Sequence, residues 1–360
     1  MAEGKYGEPG MQRRQFLAGA AAMLPSMALA QGLDPQDGDI RFGTTGAVFG
    51  HWNRNAQGVS ALQMSTDMRT VMADIKHFGL EGFEPYAAQI TQYRDDPLAL
   101  KRIADEAGIA LASVGDLVAR KGAPAIPAAQ SPWLGGEGRD ALIAEMEACA
   151  RDFLQPLGID HWKNNMGQRP AGGPSDDQLK HLADTANEIG RRTARHGVRL
   201  SLHPHIWGPM EREHEFRRVM ELSDPAYVHL ILDTGHNVLG GMDVVKMADE
   251  FFPRITEFHL KDTFAKFRGN NATPSQDAHY RGPSVYAAVG QGGGVDFPGV
   301  FAVLRRRRFK GWAVFDIDAP REGDGSGTVD DNVAASVNYL RTALGVKLPL
   351  AQGGSGLFKG

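Results

Sequence analysis

The sequence predicts a (β/α)8 barrel, an α/β fold in a single domain, on three observations. From residue 38 onward, short apolar runs alternate eight times with stretches of helical spacing. The run at 228–232, Val-His-Leu-Ile-Leu, is nearly continuous in apolar residues, as a strand buried on both faces of a parallel sheet should be. No break in composition divides the 360 residues, and barrels of this kind hold about 250 residues or more in one domain.

Taken in order, Arg41-Phe42-Gly43-Thr44 reads as the first strand and 58–78 as the helical stretch after it. Gly82-Phe83-Glu84 ends a short second strand, and 98–106 is helical. A third strand at 109–114 precedes a long helix at 138–157. The fourth strand is 159–163, and 176–196 is strongly helical. The fifth strand is 198–202, with a helix near 211–222. The sixth is 228–232, with a helix near 243–251, and the seventh is 255–260. Residues 297–308 are helical, 312–315 form the eighth strand, and the last helix covers 329–343. The barrel thus occupies 38–346, followed by a tail at 347–360. The longest irregular stretch, 264–296, is rich in Gly, Asn, Pro and Ser and follows strand seven on the catalytic face. A loop that long inside a compact domain is usually functional.

Residues 1–30 read as an address rather than as fold. Arg13 and Arg14 precede an apolar run from Ala18 to Ala30 that contains Pro25 and is short for a bilayer span. The run ends in Ala28-Leu29-Ala30, a small-x-small cleavage signature. The pattern resembles a twin-arginine signal peptide, with Met11 as a start and residues 1–10 as an upstream extension. The expectation is a periplasmic or otherwise exported protein, handled by the twin-arginine machinery and cleaved near Ala30. No later run reaches 18 unbroken apolar residues, so no stable membrane span is expected after cleavage.

Composition excludes several classes. Lys and Arg number 39 against 43 Asp and Glu, a net charge of -4, so no basic field favours nucleic acid. The lone cysteine, Cys149, rules out an internal disulfide framework and a cysteine-built metal site. Arg305-Arg306-Arg307-Arg308 closes the seventh helix, where cations complement the helix dipole. The glycine run at 290–294 lacks the strand before it and the acidic partner after it that a dinucleotide fingerprint requires.

Chemistry in such a barrel sits at the C-terminal ends of the strands. Strand two ends in Glu84, strand four in His161-Trp162-Lys163-Asn164-Asn165, and strand five in His203-Pro204-His205. Strand six ends in Asp233-Thr234-Gly235-His236, strand seven in His259-Leu260-Lys261-Asp262, and strand eight in Asp316-Ile317-Asp318. Histidines and carboxylates converging from neighbouring strands suit a divalent ion.

The two motifs Asp233-Thr234-Gly235-His236 and His259-Leu260-Lys261-Asp262 resemble the xylose-isomerase-like TIM-barrel superfamily of sugar isomerases, epimerases and inosose dehydratases. The stretch 290–297 is similar to that family's glycine-rich approach to the seventh helix, and Gly311-Trp312 with Asp316 to its final strand. The resemblance covers roughly 40–345. It implies one divalent metal ion (Mn, Co, Zn or Mg) held by His203, Asp233, His259 and Asp316. The family usually has glutamate at the first and last of these positions. The His203-Pro204-His205 run is similar to the histidine cluster of the inosose dehydratases.

Two carboxylates and two neutral imidazoles around a divalent ion leave a formal charge near zero, which keeps the ion a strong Lewis acid. In the family's epimerases the ligating glutamates also pass protons, so here a base must come from elsewhere. Glu84, Lys163, His205 and Lys261 are the candidates by position, and His205 suits a base working near neutral pH. His236, Lys261, His51 and Trp52 are the expected substrate contacts. The function expected is metal-dependent isomerisation or epimerisation of a sugar or keto-sugar by proton abstraction beside a carbonyl. The alternative is a dehydratase or lyase acting on a keto-inositol or 3-keto-glycoside, which the histidine cluster favours. A phosphodiesterase or a non-catalytic sugar-binding barrel are the remaining readings. The expected partner is a small carbohydrate or cyclitol, and this reading allows a homo-oligomer.

Overall fold

Each apolar run forms a strand and each helical stretch packs outside it, so the chain winds eight times around one axis. The computed structural model describes residues 39–54, 59–122, 131–270, 272–321 and 327–349. The segment expected to be a twin-arginine signal with its upstream extension, and most of the tail at 347–360, lie outside the described residues.

The barrel strands are β1 (Ile40–Thr45), β2 (Gly82–Glu84), β3 (Ala110–Leu111), β4 (His161–Asn164), β5 (Arg199–Leu202), β6 (Val228–Asp233), β7 (Ile255–Leu260) and β8 (Gly311–Phe315). They form one eight-stranded sheet in the order β3-β2-β1-β8-β7-β6-β5-β4, and every pairing in it is parallel. An isolated bridge between Gly115, four residues beyond β3, and Lys163 of β4 closes the barrel. Helices α1 (Met68–His77), α2 (Pro97–Ala107), α3 (Arg139–Cys149), α4 (Asp176–Ala194), α5 (Glu213–Leu222), α6 (Val244–Glu250), α7 (Phe297–Arg307) and α8 (Val329–Thr342) surround it. Side chains cap several starts: Asp67 accepts from the Thr70 N–H, Asp96 from Ala99 and Asp296 from Gly299. Ser175 and Gln178 form a reciprocal capping box on α4.

The structure corrects five readings. Residues 58–67 are not helical: Gly50–Arg54 and Ser60–Met64 pair as an antiparallel ribbon, and helix starts only after the Asp67 cap. Alternation explains this, since Trp52, Leu62 and Met64 are part-buried while His51, Asn53, Ala61 and Gln63 are exposed. The third strand shrinks to two residues. The helix read at 138–157 loosens into a π segment, Ala150–Leu154, before a last turn that contains Pro156. The loop 264–296 carries a short helix, Gln276–Arg281, and a strand pair, Asp262–Thr263 with Tyr286–Ala287. His161 opens β4 rather than ending it, at the mouth opposite the catalytic one, between Asp160 (2.6 Å) and Glu257 (2.7 Å).

The arginine run is a helix end: Arg306 and Arg307 pair with Asp249, and Arg305 donates to the Leu344 carbonyl. The glycine run has a different task. Asp262, which ends the second strand-end motif, accepts from the backbone N–H groups of Gly292, Gly293 and Val295. A Cβ at Gly292 would lie 2.1 Å from the Thr263 carbonyl oxygen, so only glycine lets the two segments approach this closely. Among the described residues no helix is long and apolar enough to cross a membrane.

Candidate metal centre

The site begins with caps and tautomers. Asp233 ends β6 and caps the single turn Thr234–Leu239, where its Oδ1 accepts from the His236 N–H at 2.7 Å. Its Oδ2 is buried without a hydrogen-bond partner. Three imidazoles face that oxygen: His203 Nε2 at 3.7 Å, His236 Nε2 at 3.9 Å and His259 Nδ1 at 3.9 Å. All three nitrogens also lack a hydrogen-bond partner.

The other ring nitrogens show why these ones are bare. His203 Nδ1 lies 3.0 Å from the Asn165 side-chain oxygen, so it carries the proton and leaves Nε2 a lone pair. Asn165 is itself gripped through its backbone and amide N–H groups by Asp116, at 2.8 and 3.1 Å. His259 Nε2 lies between Glu257 (3.1 Å) and Glu84 (3.3 Å), which turns Nδ1 toward Asp233 and Asp316. Asp316 accepts from Thr45 and Tyr86 through Oδ1, while its Oδ2 lies 3.4 Å from Lys261 Nζ.

One donor atom from each of His203, Asp233, His236 and Asp316 lies within 4.8 Å of the others. The structure therefore brings His236, read as a substrate contact, into the cluster. Three-residue spacing across one helical turn puts it beside its own cap. His259, read as a ligand, lies against the same carboxylates and shares a second group with Glu84 and Glu257.

Electrostatics fit a cation. Burial and the neighbouring Asp316 push Asp233 up to about 7. Burial, then Lys163, pulls His203 well below the imidazole range, and burial with His205 does the same to His236. Both rings are neutral and able to ligate. Burial opposes charge on His259, but Glu84, Asp316 and Glu257 outweigh it and raise its pKa well above the ordinary value. These carboxylates demand positive charge, from a proton or from a metal. Four orphaned buried atoms of nitrogen and oxygen type, converging from three strand ends, suit a divalent ion.

The remaining candidates separate by depth. His205 is half-buried, has its ring centre 3.6 Å from that of His236 at a tilt of 41°, and donates through Nδ1 to the Ile206 carbonyl, which leaves Nε2 as an acceptor. Burial pulls it down to about 4, so it stays neutral. Lys261 Nζ holds the Asp316 carbonyl at 2.8 Å and Asp318 at 3.1 Å, over the Tyr286 ring. Glu84 and Lys163, both read as catalytic, are fully buried 3.5 Å apart, with Lys163 packed on the Tyr86 ring. They support the floor and are not among the described residues lining the cavity above.

That cavity, about 450 Å³, is lined by Trp52, Leu62, Met64, Tyr86, His205, Trp207 and, from the long loop, His279, Tyr280 and Tyr286, with Asp318. Trp52 joins it as expected of a pocket residue. His51 does not: it projects to the exposed face of the ribbon and contacts Asn53. Sequence reasoning missed Trp207, His279, Tyr280, Tyr286 and Glu257. The length of the loop 264–296 was the one available signal for three of them.

A parallel barrel with a histidine–carboxylate cluster at the C-terminal ends of its strands defines a class of metal-site TIM barrels. Within it, the chain belongs to the xylose isomerase-like TIM barrel family, which matches residues 72–343. An inosose dehydratase from Mesomycoplasma hyopneumoniae (strain 7448) is 28% identical over 173 residues, 47% of this chain and 56% of that protein. The chain spans about half the length of the curated relatives it matches. Among solved structures, a sugar phosphate isomerase/epimerase from Parabacteroides distasonis superposes with a TM-score of 0.60 at 17% identity, covering 86% of this chain and 96% of that one. The IOLI protein with a binding zinc atom gives 0.59 at 15% identity, with 84% and 96% covered.

Proposed function

We propose that the protein is an exported, divalent-metal-dependent lyase acting on a keto-sugar or keto-cyclitol. His203, Asp233, His236, His259 and Asp316 would hold the ion. When bound, it would polarise the substrate carbonyl and favour negative charge on its oxygen.

The observation that carries the reading is an asymmetry of proton carriers. His205, from the end of β5, is a neutral imidazole with a free Nε2. Lys261, from the end of β7, is an ammonium held charged: burial opposes that charge, but Asp316 and Asp318 outweigh it. The two flank β6, with one base on one side and one acid on the other. His205 takes the proton from the carbon beside the carbonyl, and the C–H electron pair moves to the carbonyl. As that pair returns, the bond from the adjacent carbon to its oxygen substituent breaks. Lys261 delivers a proton to the departing oxygen, giving water or an alcohol and an unsaturated ketone. The inosose dehydratase relatives support the same reaction class.

Isomerisation or epimerisation is the second reading. It is favoured by the same Lys261 ammonium, which could return a proton to carbon instead. Proton NMR of the metal-loaded protein in heavy water, with a panel of inososes and keto-glycosides, separates the two. An unsaturated product with loss of water or alcohol supports the lyase. Deuterium at the carbon beside the carbonyl without that product supports the isomerase, and neither signal overturns both.

A further inference from the structure

The cavity above the cluster is amphiphilic. Its polar end holds His205, Asp318, Tyr86 and the Tyr286 hydroxyl, which is buried without a hydrogen-bond partner. Its other walls are mainly carbon surface: Val59, Leu62 and Met64 from the ribbon and the indoles of Trp52 and Trp207, with the rings of His279 and Tyr280 against both indoles. A ring carrying only hydroxyls needs the polar end, but aliphatic side chains offer nothing to a hydroxyl.

Both indole N–H groups are already engaged. Trp52 donates to the Ala319 carbonyl at 2.7 Å and Trp207 to the Pro274 carbonyl at 2.8 Å. What the indoles have left for a ligand is carbon surface. Trp207 is held in a left-handed backbone, φ +64, which L-residues rarely adopt. The Glu211 carboxylate grips its N–H at 2.8 Å, and the Arg169 N–H grips its carbonyl at 2.6 Å. Strain at a cavity wall, held by two anchors, marks a side chain whose placement matters.

Charge narrows the ligand further. None of the described lining residues is Lys or Arg, and Asp318 adds a carboxylate. The two nearby cations are engaged. Lys261 is bound by Asp316 and Asp318. Arg321 is bound by His279 and the Gly282 carbonyl and stacks on Trp52. A phosphate dianion in this cavity would meet the Asp318 carboxylate and no Lys or Arg among the described lining residues.

We propose that this cavity binds an uncharged glycoside, with its polyhydroxylated ring at the polar end and an apolar aglycone against Trp52, Trp207 and the ribbon. A sugar phosphate is the ligand this lining favours least. The proposal rests on the sugar reading of the site and names the substrate class within it.

The test is calorimetric titration of the full, metal-loaded chain with phenyl β-D-glucopyranoside, methyl β-D-glucopyranoside and glucose 6-phosphate. The phenyl glucoside is expected to bind at least tenfold tighter than the methyl glucoside, with no saturable binding of glucose 6-phosphate. Trp207→Ala should bring the phenyl glucoside down toward the methyl level while metal content stays at that of the unaltered chain. Leu62→Ala, on the ribbon, should lose part of the phenyl preference and serves if Trp207→Ala fails to fold. Equal binding of the two glucosides, saturable binding of glucose 6-phosphate, or a phenyl preference that survives both variants overturns the proposal. Metal content is measured separately. A chain that takes up no metal overturns the functional reading, whereas a metal-loaded chain without phenyl preference overturns the substrate class alone.

Discussion

Four buried atoms carry most of the functional argument: His203 Nε2, Asp233 Oδ2, His236 Nε2 and His259 Nδ1. A buried polar atom left unsatisfied costs about 1–3 kcal/mol, so four together would be an unusual burden without a ligand. Asp233→Asn keeps a good cap for the helical turn after β6, because Asn caps as well as Asp. It is expected to lower bound metal per chain at least tenfold by elemental analysis while leaving the circular dichroism spectrum unchanged. Glu257 holds His259 Nε2 and is itself held by His161. Glu257→Gln is expected to weaken metal binding by about 10–100-fold, the usual cost of losing a carboxylate behind a ligating histidine. Competition against a fluorescent zinc chelator would measure it, and unchanged affinity would remove Glu257 from this role.

At the scale of elements, two pieces outside the regular barrel shape the site. The ribbon Gly50–Arg54 and Ser60–Met64 supplies the apolar wall, and the segment after β7 supplies His279, Tyr280 and Tyr286. Asp262 ties that segment to the strand end through backbone N–H groups. Asp262→Ala is therefore expected to cost roughly 1.5–3 kcal/mol of stability, the range for hydrogen bonds to a charged group. It should also release Lys261 from its aim, so turnover should fall more than metal affinity. Denaturant unfolding with parallel metal titration checks this. Equal loss of both would show that the clamp serves the cluster rather than Lys261.

At the scale of the whole molecule, stability should depend on metal and on pH. An ion present at a hundred times its Kd stabilises the native state by about 2.7 kcal/mol. Dialysis against a chelator should therefore lower Tm, and restoring zinc or manganese should recover it. The floor of the barrel sets the pH response. Burial opposes charge on His161, but hydrogen bonds to Asp160 and Glu257 raise its pKa to about 9. A group raised in the folded state stabilises fully below its unfolded pKa, near 6.5, and loses that contribution as pH climbs through the folded value. The urea midpoint should thus fall between pH 6.5 and 9, and His161→Gln should flatten that fall. An identical slope in both proteins would place the alkaline sensitivity elsewhere.

Strand and helix order was legible because apolar runs and helical spacing are local. So was the meeting of His203, Asp233, His259 and Asp316 at one mouth, because barrel geometry sends strand ends there. The ribbon was missed because a part-buried alternation beside a helix mimics helical spacing over ten residues. His161 was misplaced by a shift of strand bounds, which sends a residue from one mouth of the barrel to the other. Whether His236 joins the cluster, whether Glu84 faces substrate or supports His259, and which aromatics close the cavity depended on distances between residues far apart in sequence. The chain by itself determined a parallel barrel carrying histidines and carboxylates at its strand ends. Only the tertiary structure decided their tautomers, their depth and the apolar roof above them, because each depends on contacts made across the barrel rather than between neighbours along the chain.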